Sequence, residues 1–92
     1  MPAYHLLWTE TFLRTARKFT RRHPDLESEL EAVLKQLEQD PRAPRLRLHA
    51  LQGKHRGKQA VSLTYSHRMV LILRVTEKEI VLLDIGSHDE VY

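Results

Sequence analysis

Cysteine is absent from all 92 residues. That excludes a disulfide, a thiolate nucleophile and any zinc site built on sulfur. No apolar run approaches the ~20 residues needed to span a bilayer. The first ten residues, MPAYHLLWTE, hold neither a long apolar core nor a cleavage signal. The cytoplasm is therefore the expected compartment, with no membrane partner. The spacing of a phosphate loop is missing, as are internal repeats and low-complexity tracts. There are six histidines, but no carboxylate or second histidine stands at a convincing ligand spacing from any of them. No metal and no small-molecule cofactor is expected. The most telling shortage is of acid: from Pro41 to Thr76 there is no Asp or Glu.

That acid-free window holds Arg42, Arg45, Arg47, Lys54, Arg56, Lys58, Arg68 and Arg74, with His49, His55 and His67 among them. Arg14, Arg17, Lys18, Arg21 and Arg22 add to it from further upstream, while Asp25, Glu27, Glu29, Glu31, Glu38 and Asp40 cluster between the two groups. A net charge of +3 thus hides a segregation that gives one electropositive side. A polyanion, or an acidic protein segment that mimics one, is the natural partner. The plainer alternative is a solvated basic face without a partner.

The hydrophobic pattern suits one domain, residues 1–92, with a single modest core. Tyr4 to Trp8 has the character of a short strand. Thr9 can cap a helix whose apolar residues Phe12, Leu13, Ala16 and Phe19 recur at helical spacing. Pro24 opens a second helix, striped by Leu26, Leu30, Val33, Leu34 and Leu37 and stopped at Asp40-Pro41. Pro41 to His49 reads as an extended basic connection. Gly53 and Gly57 bracket a basic turn. Gln59 to Tyr65 alternates as a half-buried strand, with Val61, Leu63 and Tyr65 on one side. Met69 to Val75 is a second strand, and Thr76 to Lys78 a hairpin connection. The expected fold is α+β: an N-terminal strand, a helical hairpin, then three antiparallel strands. The antiparallel sheet has two helices packed on one face.

The final strand is the feature on which the rest converges. Ile80, Val81, Leu82, Leu83 and Ile85 form an apolar, β-branched run suited to a strand buried on both faces. It stops at Gly86 and hands over to Ser87, His88, Asp89, Glu90 and Tyr92.

The pattern His49-x-Leu51-x-Gly53, then Gly57, then Tyr65-x-x-Arg68, then Ile85-Gly86-Ser87-His88-Asp89-Glu90-Val91-Tyr92 resembles the RelE/ParE toxin superfamily. It is most similar to the YafQ-like branch of bacterial type II toxin–antitoxin modules. The resemblance follows the whole chain in element order and is specific from His49 onward. It implies a ribonuclease that enters the ribosome and cuts mRNA there without a metal. The 2′-hydroxyl attacks the adjacent phosphate, and a cognate antitoxin protein blocks the basic face.

Such chemistry needs a base, an acid and cations around the phosphorus. Histidine suits both proton roles. The resemblance makes His49 and His88 the acid/base pair, in either order. Arg68 would stabilise the phosphate, because guanidinium pairs with it bidentately. Tyr92 would stack on a base or hydrogen-bond near the scissile phosphate. Lys54, Arg56 and Lys58 would hold the RNA backbone. Each has a structural alternative: His49 and His88 as capping residues, Arg68 paired with Asp84 or Asp89, Tyr92 as packed aromatic.

Two departures stand out. Related toxins carry a His or Arg near Ser62 and an Asp near Ser66. Serine supplies neither a suitable proton-transfer group nor charge. Either His67 covers part of the loss, or the enzyme is slow. The competing functions are a ParE-like gyrase poison without nuclease activity and a degenerate member that only binds its antitoxin.

Overall fold

A computed structural model of the chain describes residues 3–87 and Val91. Strand β1 (His5–Trp8) runs into helix α1 (Glu10–Arg22). The boundary is set by Thr9, as its residue type suggests. Its hydroxyl accepts from the Phe12 backbone N–H at 3.1 Å and donates to the Leu82 carbonyl at 2.8 Å. One side chain thus caps the helix and ties it to the final strand. Thr9→Ala should cost about 1–2 kcal/mol, while Thr9→Ser should stay near the parent. Urea unfolding of the two variants would check this, and equal stabilities would remove the cap from the account.

Pro24 opens a 3₁₀ turn (Pro24–Leu26) before helix α2 (Glu27–Gln39), rather than the α-helix itself. The missing N–H and fixed φ of proline suit either kind of first turn. The basic connection is also less extended than its prolines suggest. It contains a 3₁₀ turn at Pro44–Leu46, with Leu46 fully buried as an anchor. Arg47 then takes a left-handed conformation, φ 52°.

Four strands follow the helices, not three. They are β2 (His49–Ala50), β3 (Gln59–Ser62), β4 (His67–Arg74) and β5 (Glu79–Ser87). The sheet order is β1-β5-β4-β3-β2. Strands β2 to β5 form an antiparallel meander, but β1 pairs with β5 in parallel, His5 opposite Glu79 through Trp8 opposite Leu82. The sheet is therefore mixed. The helical pair carries the chain from one edge of the sheet to the other, and the meander's three reversals bring β5 back beside β1. Strand β5 does not stop at Gly86, which lies opposite Arg68 inside the ladder.

Both helices pack on one face. Phe12 and Phe19 of α1 and Leu30, Val33 and Leu37 of α2 share a buried cluster with Val61, Met69, Leu71, Ile80 and Leu82 of the sheet. Successive strand residues point to opposite faces. Ala60, Ser62, Arg68, Val70 and Ile72 therefore lie on the face away from the helices. His55, Lys58 and Val91 meet Val70, Ile72 and Leu83 around a hollow on that second face. No helix among the described residues is long and apolar enough to cross a membrane.

Candidate active site

His49 sits at the start of β2, the edge strand, opposite Ala60. Directly paired residues share a face, so its side chain belongs to the helix-free face. The row continues through Val70 to Asp84. The next row on that face is Ser62–Arg68–Gly86. His49 and Arg68 are thus two strands and one row apart, roughly 12 Å between backbones by ordinary strand spacings. Both side chains are long enough to meet one phosphate group between them.

The imidazole of His49 is exposed yet oriented. Its Nδ1 lies 2.9 Å from the carbonyl oxygen of Arg47. A carbonyl only accepts, so Nδ1 carries the proton and the neutral ring leaves Nε2 as a lone pair. The carbonyl is aimed by the left-handed backbone of Arg47, which follows the Pro44–Leu46 turn and is closed by an Arg47 N–H bond to the Pro44 carbonyl at 3.2 Å. A non-glycine residue in that region stores strain on the order of 1–2 kcal/mol. Here the strained residue is the one that orients the histidine.

His67 does not join this group. It neighbours Arg68 in sequence and therefore faces the other way. Its ring meets Phe19 (5.1 Å between centroids) and His23 (4.8 Å) on the helix side. Its Nδ1 is 2.9 Å from the Thr64 hydroxyl. It lines a separate hollow of about 150 Å³ with Lys18, Arg22, His23 and Asp84. It cannot cover for the His or Arg whose place the resemblance assigns to Ser62, because Ser62 is on the opposite face. The alternation of strands was enough to predict this.

Lys58 belongs to the same face as His49 and Arg68. Lys54 and Arg56 are exposed on the loop between β2 and β3, within and just after a 3₁₀ turn (Gly53–His55). Gly53 and Gly57 take φ of 66° and 92° there, which glycine adopts without steric cost. Asp84 accepts from the Ile85 N–H at 2.8 Å. His88 and Tyr92, with Asp89 and Glu90, lie outside the described residues. Among the described residues no three His, Asp or Glu side chains gather as metal ligands.

Sequence reasoning overlooked what gathers just past the end of β3, where Glu29 of α2 also reaches. Arg45, Arg47 and Arg68 surround a hollow of about 590 Å³ beside Ser62. The signal available was the spacing Arg45-x-Arg47-x-His49, which was read only as a basic connection.

The architecture is shared with solved structures. YafQ from E. coli strain BL21(DE3) superposes with a TM-score of 0.82 at 15% identity, covering 97% of this chain and 98% of that one. The toxin in the E. coli DinJ-YafQ toxin–antitoxin complex gives 0.80 at 15% identity, with 98% of each chain covered. A metal-bound toxin from Helicobacter pylori gives 0.79 at 22% identity, covering 97% and 99%. At such identities the likeness is one of fold alone: a small mixed sheet with two helices on one face. No curated protein matches the sequence significantly. A family profile described as "Bacterial toxin of type II toxin-antitoxin system, YafQ" does match, over residues 4–92. The chain belongs to that family.

Proposed function

We infer that this toxin is a ribonuclease that cuts mRNA on the ribosome and is silenced by a cognate antitoxin. The observation that carries the reading is the His49 ring, held by the Arg47 carbonyl so that Nε2 is the free nitrogen. That nitrogen can take the proton of a ribose 2′-hydroxyl. The 2′-oxygen then bonds to phosphorus and the bond from phosphorus to the 5′-oxygen breaks. The departing 5′-oxygen needs a proton, and His88 is its donor on the sequence resemblance alone. Arg68 is suited to the charge gathering on the phosphate oxygens. Lys54, Arg56 and Lys58 would engage the RNA backbone, and Tyr92 a base. A gyrase poison would have no use for an imidazole oriented by a backbone carbonyl on the same face as an arginine.

Primer extension on mRNA from cells expressing the toxin tests the class: discrete, translation-dependent cuts are expected. The chemistry has its own test. The downstream fragment should carry a 5′-hydroxyl, and a 2′-deoxy nucleotide at the cut position should block cleavage. A 5′-phosphate product, or a deoxy substrate cut at the same rate, would overturn the metal-free mechanism.

A further inference from the structure

Tyr65 is the most exposed large apolar side chain described, at 103% of its reference exposure. It follows Leu63, which is buried, and simple alternation would have turned it inward. Strand β3 instead ends at Ser62, and residues 63–66 form a turn. The turn is well held. The Leu63 and Thr64 N–H groups both donate to the His67 carbonyl, at 3.0 and 3.2 Å. The Thr64 hydroxyl accepts from the Ser66 N–H at 3.3 Å and lies 2.9 Å from the His67 ring. That ring is lodged against Phe19 and His23. The phenol is thus presented on a fixed stem, without a packing role of its own.

Beside it lies the hollow of about 590 Å³, a size within the ~300–1,000 Å³ of small-ligand sites. Three arginines line it, Arg45, Arg47 and Arg68, with Ser62 and Tyr65. The one carboxylate there among the described residues, Glu29, binds Arg45 at 3.0 Å, and both side chains are about half exposed. An oxyanion already occupies the position a phosphate would take. Ser62 and Arg68 also belong to the row next to His49 on the sheet.

We propose that Tyr65, Arg45 and Arg47 form a subsite for one nucleotide of single-stranded RNA, flanking the bond that His49 addresses. The base stacks on the Tyr65 ring, and the phosphate replaces Glu29 on Arg45, with Arg47 alongside. An acidic peptide would need only the cations. A flat aromatic face offered to solvent beside an arginine-lined hollow is what an unpaired base uses. The subsite rests on the ribonuclease reading and adds its substrate contact away from the reacting atoms.

The test is binding of the full chain to a short RNA with methylated 2′-hydroxyls, followed by fluorescence anisotropy. Tyr65→Ala should weaken binding roughly 10-fold, and Tyr65→Phe should restore it. Thermal stability should not move, since the ring packs on nothing. Glu29→Gln should tighten binding a few-fold by removing the competing carboxylate. An abasic nucleotide walked along the RNA should match the Tyr65→Ala loss at one position and cost nothing further in that variant. If the parent binds RNA and Tyr65→Ala binds equally well, the subsite is wrong and the ribonuclease reading survives. If the parent neither binds nor cuts RNA, that reading fails and the subsite with it. If Tyr65→Ala weakens only the antitoxin complex, the hollow belongs to the antitoxin and the subsite is overturned.

Discussion

His49→Ala should lower single-turnover RNA cleavage by about 10²–10⁴-fold, the range for losing a positioned general base. The ring is exposed and contributes no core packing. Stability should therefore stay within about 0.5 kcal/mol of the parent. His49→Gln sharpens the comparison. Its amide can still donate to the Arg47 carbonyl, which the Nδ1–H does at 2.9 Å, but it cannot take up a proton near neutral pH. It should be as inactive as the alanine variant while holding RNA as well as the parent. Cleavage within tenfold of the parent in either variant would remove His49 as the base.

Phe12→Ala should have the largest effect on stability, about 3–5 kcal/mol. Phe12 is fully buried and packs edge-on against Trp8, with ring centroids 5.4 Å apart. It sits one turn after the Thr9 cap, where α1 meets β5. A domain of this size holds roughly 5–10 kcal/mol in total, so the variant should lose roughly a third of its stability or more. Urea unfolding with circular dichroism would measure it. A loss below about 1 kcal/mol would mean that the Phe12 site collapses around the smaller residue.

The parts of the fold with a local signal were legible. Thr9 announced the first helix because a hydroxyl before an apolar-periodic run satisfies an orphan N–H. The apolar run at Ile80 to Ile85 announced an interior strand, and β5 lies between β1 and β4. Strand β2 was not legible, since two residues carry no periodicity. The direction of β1 was not legible either, because its partner stands more than seventy positions away and nothing local encodes a parallel register. Tyr65 was misread because one residue of turn undoes the alternation that precedes it.

The candidate site was partly open to the same logic. That Arg68 and His49 share a face follows from register, which only the folded sheet supplies. That His67 and Arg68 cannot share one follows from the pleat alone. The orientation of His49 depends on the left-handed Arg47, φ 52°, and arginine gives no hint of that conformation.

Strand β2 has a further consequence. Two ladder positions, His49 opposite Ala60 and Ala50 opposite Gln59, tie it to the rest of the sheet, with one further bond from the Leu51 N–H to the Lys58 carbonyl at 2.9 Å. Segments held so lightly open far more often than the molecule as a whole unfolds. The candidate base, His49, is mounted on this rim, while Arg68 is mounted on an interior strand. Hardening the centre of the protein would then leave the lifetime of the assembled pair unchanged, and whatever grips the rim would govern it.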